Sequence, residues 1–283
     1  QESPIFNTLQ IPRGGEYFLT LADGTEVWLN AETEIRYPVQ FTGDKRIVYL
    51  DGEAYFTVAP DKNKPFTVVS THASVSVLGT QFNFRAYPDE RDVQTTLVSG
   101  SVIMQSEKYK QQIKLIPGEQ GVLEKNSAKL TKQKVNTYLY TAWKDGRFAF
   151  RNARLEDLFS ILARWYDLSI FYQSSEAKDI RFTGDLNKTD DFKSILKIIE
   201  QNERVTLQMY EKNGQKQPFL GWIMAKTSKS YEVMLYLDIY RHHAPFGSHL
   251  FTRYTTGFKG EECHPRKCDE QHPHTIGVQL LFR

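Results

Sequence analysis

The chain has little cysteine: two residues in 283, Cys263 and Cys268, both near its end. A framework of disulfides stapling a small fold is therefore excluded for everything before Cys263. It also lacks an excess of either charge. Against 36 Lys and Arg stand 34 Asp and Glu, a formal net charge of +2, and no basic run is long enough to form a tail. That removes the electrostatic footprint of a nucleic-acid binder. No stretch approaches the ~18 uninterrupted apolar residues of a membrane-spanning helix. Gln1-Glu2-Ser3-Pro4 opens the chain without the basic region and apolar core of a signal peptide. The expectation is a cytosolic chain or the exported part of something longer, and composition does not choose between them.

Catalytic motifs are missing too. Arg13-Gly14-Gly15 is not followed by the Lys-Ser/Thr of a phosphate loop, no G-x-G-x-x-G opens a helix, and no serine occupies a G-x-S-x-G elbow. His72 has no nucleophile near it in sequence. Asp23, Asp51 and Glu53 could be read as paired carboxylates, but a glycosidase holds two of them at a set distance across a cleft. Asp before Gly reads as a turn residue. Glu53, inside a strand, is expected to be buried against a partner such as Arg36. No catalytic residue and no cofactor is predicted, and the chain is read as a non-enzyme.

What is present is apolar and aromatic: 40% hydrophobic residues, 13% aromatic, enough for real cores. A glycine-punctuated strand pattern recurs in Leu21-Ala22-Asp23-Gly24-Thr25-Glu26-Val27-Trp28-Leu29-Asn30 and in Tyr49-Leu50-Asp51-Gly52-Glu53-Ala54-Tyr55-Phe56-Thr57-Val58. A looser form follows in Leu97-Val98-Ser99-Gly100-Ser101-Val102-Ile103. Each copy puts glycine where the backbone can take positive φ and flanks it with β-formers. Period-2 stretches such as Phe82-Asn83-Phe84-Arg85 fill the same region. Residues 8–140 are predicted to form an all-β domain, a sandwich or solenoid of short strands.

The period changes near Trp143-Lys144-Asp145-Gly146. After a strand at Arg147-Phe148-Ala149-Phe150, Leu155, Leu158, Ile161, Leu162 and Trp165 fall at helical spacing, with Asn152 as the expected cap. Strands are predicted at 168–172 and 180–186. A second helix follows, capped by Thr189 or Asp190, with Phe192, Ile195, Leu196 and Ile199 inward, then a strand at 205–210. Strand-helix-strand written twice makes 147–211 a small α+β domain. The two domains are expected to be independent, with Trp143 at the junction and Asp145-Gly146 turning the chain.

These stretches resemble the FecR family. The residues that carry the resemblance are Pro12-Arg13-Gly14-Gly15-Glu16-Tyr17, Val27-Trp28-Leu29-Asn30-Ala31, Leu50-Asp51-Gly52-Glu53-Ala54-Tyr55-Phe56, Val77-Leu78-Gly79-Thr80-Gln81-Phe82-Asn83, Pro117-Gly118-Glu119-Gln120, Ala142-Trp143-Lys144-Asp145-Gly146, Leu162-Ala163-Arg164-Trp165-Tyr166 and Phe182-Thr183-Gly184-Asp185-Leu186. The resemblance, of the variety abundant in Bacteroidetes, spans roughly residues 8–211. It implies the periplasmic portion of a single-pass inner-membrane anti-sigma regulator. Such a portion senses the signalling domain of an outer-membrane TonB-dependent transducer and relays to an extracytoplasmic-function sigma factor. The sigma factor would bind a cytoplasmic segment that this chain does not contain. The α+β part resembles the short signalling domains of secretins and transducers.

An open sheet in that part would offer its edge strands to a partner. The candidate partner-binding residues are Ile180, Phe182, Gly184, Val205, Leu207 and Met209. The rival reading is a carbohydrate-binding or carbohydrate-active β-sandwich, prompted by Trp28, Tyr37, Tyr55 and Tyr87. A third is a structural envelope protein. Residues 214–283 resemble nothing in the family. They read as an added hairpin module, as the last strands of an outer-membrane barrel, or as a fused or shifted reading frame, and they are expected to be dispensable for the sensor fold. Cys263 and Cys268, with His264, His272 and His274, could hold a metal, close a small disulfide loop or stay free; no metal site is assigned.

Overall fold

The computed structural model describes residues 4–108, 110–168, 170, 172, 175–190, 192–200, 206–209 and 223–226. Thirteen strands come first: β1 (Phe6–Ile11), β2 (Tyr17–Thr20), β3 (Glu26–Leu29), β4 (Thr33–Pro38), β5 (Arg46–Thr57), β6 (Phe66–Val69), β7 (Ala73–Val77), β8 (Gln81–Ala86), β9 (Asp92–Ser99), β10 (Val102–Ser106), β11 (Gln112–Leu115), β12 (Glu119–Glu124) and β13 (Leu130–Lys134). They form two sheets that share β5. The first sheet runs β1-β4-β5-β6-β7-β10-β11 and the second β2-β3-β5-β8-β9-β12-β13. Every ladder is antiparallel except β5 with β6. This is the mainly β architecture expected from the alternation.

Gly52 explains how one strand serves both sheets. Residues 46–51 of β5 pair with β4 and β6, and residues 52–57 pair with β3 and β8. At the changeover Gly52 has φ 127°, and a Cβ there would sit 2.4 Å from Thr33 Oγ1. Only glycine tolerates both the conformation and the approach. The Asp51-Gly52 pair, read from sequence as a turn, is therefore a bend inside a continuous strand. Asp23-Gly24 is a true turn: Gly24 has φ 82° and Asp23 Oδ1 accepts from the Thr25 amide at 3.1 Å.

Between the sheets lies an apolar core that includes Val27, Leu29, Ile35, Val48, Phe56, Phe66, Phe82, Phe84, Leu97 and Met104, all fully buried. β4 shows the reason for the alternation: Thr33 and Ile35 are buried while Glu34 and Arg36 are exposed. The sheets approach closely, since a Cβ on Gly121 would meet Met104 Sδ at 2.8 Å.

The α+β module begins with a short helix, α1 (Tyr138–Thr141), and a 3-10 turn ended by Gly146 at φ 70°. Then follow β14 (Arg147–Arg154), α2 (Leu155–Tyr166), a second 3-10 turn, β15 (Arg181–Asn187), α3 (Phe192–Glu200), β16 (Thr206–Met209) and β17 (Ile223–Lys226). β14 pairs with β15, and β16 with β17. In α3, Phe192, Ile195, Leu196 and Ile199 are buried, as their spacing requires.

Two local expectations are corrected: the cap at Asn152 and the strand at 168–172. Asn152 does not cap α2; it sits at φ 51° in the irregularity of β14, and the capping position is Arg154. A short amide side chain tolerates the left-handed region, so Asn suits a bulge as well as a cap. Asp190 is engaged before α3, its Oδ2 accepting from the Asn187 amide at 3.3 Å. Leu168, Ile170 and Tyr172, expected in a strand, have no regular structure. β17 lies beyond Gly214, so the module's strands extend into the part set aside as an extension. The expected strand at 231–240 lies outside the described residues.

Candidate functional site: the buried junction between sandwich and module

The module does not stand apart from the sandwich. One apolar cluster contains Phe148, Leu155, Leu158, Phe159, Leu162, Trp165 and Phe182 of the module together with Ala31 and Tyr55 of the sandwich. Trp143 lies in that cluster, and Asp145-Gly146 ends the 3-10 turn, as expected at the junction. The shared cluster differs from the expectation of two independent domains. Helix α2 has an apolar face too broad for the two-stranded sheet β14–β15 to cover alone, and the outer face of the second sheet covers the rest.

At the centre of this junction Glu53 is 4% exposed. Its Oε1 accepts from Asn83 Nδ2 at 2.9 Å, and its Oε2 from Asn30 Nδ2 at 2.9 Å and Arg85 at 2.8 Å. Both asparagine amides are thereby fixed with their oxygens pointing away from Glu53. Asn83 Oδ1 accepts the Trp143 indole N–H at 3.0 Å, and Asn30 Oδ1 accepts the Trp165 indole N–H at 2.9 Å. One buried carboxylate thus orients two amides, and each amide holds one tryptophan of the module. The expected partner Arg36 is elsewhere: on the outer face of the first sheet, its guanidinium lies over the rings of Phe6 and Tyr49.

Arg85 and Arg164 extend the network. Arg85 forks onto Glu90 at 2.8 and 2.6 Å. Burial works against its charged form, but Glu53 and Glu90 outweigh that cost and hold its pKa well above the usual range. Arg164, on α2, is 3% exposed and donates through Nη2 to both oxygens of Asp89 at 2.7 Å and through Nη1 to Glu90 at 2.8 Å. Its guanidinium stacks 3.9 Å from the centre of the Tyr87 ring. Burial, reinforced by Glu53, pushes the Tyr87 phenol up, so it stays a donor to the Ala31 carbonyl at 2.7 Å.

The Arg13-Gly14-Gly15 segment has its place here as well. The Gly14 amide donates to the Arg164 carbonyl at 2.8 Å, and Arg13 donates to the Leu168 carbonyl at 3.3 Å. A loop of the sandwich thus satisfies carbonyls left open at the C-terminal end of α2. Lys188 of the module pairs with Glu16 and lies 4.4 Å over the Trp165 ring.

Of the residues named for partner binding, Phe182 is buried in the shared cluster and Ile180 packs against it. Gly184 faces the Phe150 ring, where a Cβ would meet Cζ at 2.7 Å. Leu207 and Met209 belong to β16. Val205, Cys263, His264, Cys268, His272 and His274 lie outside the described residues. Of the aromatics of the carbohydrate reading, the structure brings Trp28 and Tyr55 together and leaves Tyr37 on the other sheet. Trp28 packs between Phe18 and Tyr55 on the second sheet, Tyr87 is buried at the junction, and Tyr37 packs on the core from the first sheet. The carboxylates are separate: Asp23 pairs with Arg46, and Asp51 lies opposite Glu34.

The junction is built from residues of the stretches that carry the resemblance: Asn30, Glu53, Asn83, Trp143, Arg164 and Trp165. The FecR protein model matches residues 7–103 and the FecR C-terminal model matches residues 147–216. The chain belongs to the FecR family. A crystal structure of a candidate anti-sigma factor from Parabacteroides distasonis ATCC 8503, at 2.50 Å resolution, is 26% identical and has a TM-score of 0.69. It covers 80% of this chain and all of its own. A second, from the same organism and with the same description, at 1.65 Å, is 28% identical with a TM-score of 0.68, covering 78% and all of its own. No curated protein matches the chain. The family is regulatory, and these neighbours support an anti-sigma regulatory role. Among the described residues no helix is long and apolar enough to cross a membrane.

Sequence reasoning missed this junction because its members were read singly. Asn83 stands between two fully buried phenylalanines on the opposite face, yet is itself 3% exposed. A strand buried on both faces and carrying an amide requires a donor and an acceptor from another element. Two motif tryptophans with unassigned N–H groups were the available signal.

Proposed function

We propose that this chain is the sensing portion of a FecR-family anti-sigma regulator, acting in the periplasm. It binds the signalling domain of an outer-membrane TonB-dependent transducer through the α+β module. Occupancy then passes to an extracytoplasmic-function sigma factor through a cytoplasmic segment of the parent protein. The working division is 8–140 for the sandwich and 147–211 for the module, with the module's strands continuing to β17.

The observation that carries this reading is the outer edge of β15. The Leu155 amide bonds to the Ile180 carbonyl and the Lys188 amide to the Gly146 carbonyl, so even-numbered residues of β15 face β14. Odd-numbered residues turn their amides and carbonyls outward; Arg181, Thr183 and Asp185 are exposed there, and Asn187, also exposed, gives its amide to Asp190 Oδ2. An edge with unpaired backbone and alternating polar side chains suits strand addition by a partner domain. The junction supports the relay, because a load on β15 meets β14 and α2; α2 is fixed to Asn30 and Asp89, and the 3-10 turn that leads into β14 is fixed to Asn83.

The test is isothermal titration of the chain with the signalling domain of a TonB-dependent transducer encoded beside it. Thr183→Pro should weaken binding at least about tenfold by deleting an outward amide, whereas Thr183→Val should not. Circular dichroism checks that both variants fold. Equal binding by both variants would remove β15 from the interface, and no binding by the unmodified chain would remove the transducer reading.

A further inference from the structure

On its other edge the same two-stranded sheet borders a cleft of about 620 Å³ between module and sandwich. One wall is the continuous run from Arg147 to Arg154. The other is the β8–β9 turn and the start of β9, including Asp89, Arg91, Asp92 and Gln94, with Tyr140, Trp143 and Ile161 also lining it. Before the irregularity that follows Phe150, even-numbered residues of β14 bond to β15, so the amide and carbonyl of Ala149 point away from it. Among the described residues they have no hydrogen-bond partner, although Ala149 is 5% exposed. Ala149 lines the cleft, so these outward groups are open to pairing with an incoming strand.

The charges lining the cleft are unequal in their availability. Its carboxylates are engaged: Glu53 by Arg85 and two amides, Asp89 and Glu90 by Arg164 and Arg85, and Glu156 by Arg154 and Lys178. Asp92 accepts from Gln94, and Asp157 has Arg154 at 3.8 Å. Three arginines keep guanidinium donors to spare. Arg151 has no ion-pair or hydrogen-bond partner among the described residues. Arg181 has only the Asn152 carbonyl at 2.8 Å. Arg91 is 77% exposed and has one contact to Glu156 at 3.5 Å. Arg91 and Arg151 stand on opposite walls.

We infer that this cleft is a second docking site, for an extended acidic peptide segment that adds as a strand to the free edge of β14 between Arg91 and Arg151. The backbone of Ala149 supplies register, the arginine forks take carboxylates bidentately, and Tyr140 and Ile161 offer apolar contact for alternate side chains. This site is separate from the β15 edge, so it stands whether or not the transducer reading does.

The test is fluorescence anisotropy of a labelled peptide alternating Glu and Val, titrated with the full chain. Its controls are the Lys-Val counterpart and the Glu-Val peptide N-methylated on alternate amides. The acidic peptide should bind, with affinity falling as salt is raised, and the basic one should not. Arg151→Glu and Arg91→Glu should each weaken it about tenfold, while Lys134→Glu, on β13 and outside the cleft lining, should not. N-methylation should weaken it in at least one of its two registers. Equal binding of acidic and basic peptides, no binding of the acidic one, or unchanged binding by both arginine variants with melting temperatures intact would overturn the proposal.

Discussion

Trp165 donates its indole N–H to Asn30 Oδ1 at 2.9 Å, across 135 residues of sequence and across the boundary between sandwich and module. The same oxygen accepts the Ala31 amide at 2.8 Å, and the amide nitrogen of Asn30 is held by Glu53. The orientation of one tryptophan on a helix is therefore set by a carboxylate on a β-strand.

Removing that carboxylate should be costly out of proportion to its size. Glu53→Ala leaves two amides misdirected and Arg85 half-paired in a buried site, and breaking such a pair costs about 3–5 kcal/mol. Glu53→Gln keeps the shape and one acceptor and should cost less. Denaturant unfolding of the three proteins checks the order; equal stability of Glu53→Ala and the parent would contradict it.

Arg164→Lys should also be damaging. Lysine keeps the charge but loses the fork that reaches Asp89 and Glu90 together, and it loses the stacking on Tyr87. A loss of about 2 kcal/mol is expected, since charge-assisted hydrogen bonds contribute roughly 1.5–3 kcal/mol each. The measurement is thermal unfolding followed at 280 nm; a change within error would show that the fork is redundant.

Two glycines should separate conformational strain from crowding. Gly24→Ala meets no atom within 4 Å and should cost only the left-handed backbone, about 1–2 kcal/mol. Gly52→Ala must push Thr33 away as well and should cost several times more, about 4 kcal/mol or above. Similar losses would mean that β5 can relax its bend.

A pH dependence follows from Asp51. Partial desolvation, and then the Glu34 carboxylate directly across the β4–β5 ladder, raise its pKa. A carboxyl with a raised folded-state pKa contributes stability below its ordinary titration range and loses it as pH rises through the raised value. Asp51→Asn should therefore be more stable than the parent at pH 7. The two should converge near pH 3, below the ordinary carboxylate range of about 4. Greater stability of the parent at pH 7 would show that Asp51 is favourably paired.

Truncation tests the end of the module. A chain ending at residue 213 lacks β17, the partner of β16, whereas one ending at residue 226 keeps the Thr206–Met209 to Ile223–Lys226 ladder. The longer chain should unfold more cooperatively, in the same calorimetric scan. Indistinguishable scans would make β17 dispensable, as the change of composition at Gly214 suggests.

Much of the architecture was legible because it is written in local period. The alternation in Thr33-Glu34-Ile35-Arg36 and the spacing of Leu155, Leu158, Leu162 and Trp165 report burial directly. What was not legible depends on approach between distant segments. Nothing local tells Gly52, which bends a strand against Thr33, from Gly24, which makes a turn. Nothing near Glu53 distinguishes Arg85 from Arg36 as its partner. Asn152 carried a true signal for an unusual backbone position, and the structure uses it in a bulge three residues before α2 rather than as the cap.

The central claim is that the motif residues of the two matched segments form one junction, so that sandwich and module behave as a single body. Differential scanning calorimetry of the full chain, with Trp fluorescence recorded on the same ramp, tests it most directly. The sandwich β-sheet signal and the Trp143 and Trp165 environment should be lost in one transition. Glu53→Ala should divide that transition in two, with the tryptophan change first. Two separate transitions in the unmodified chain would contradict the claim.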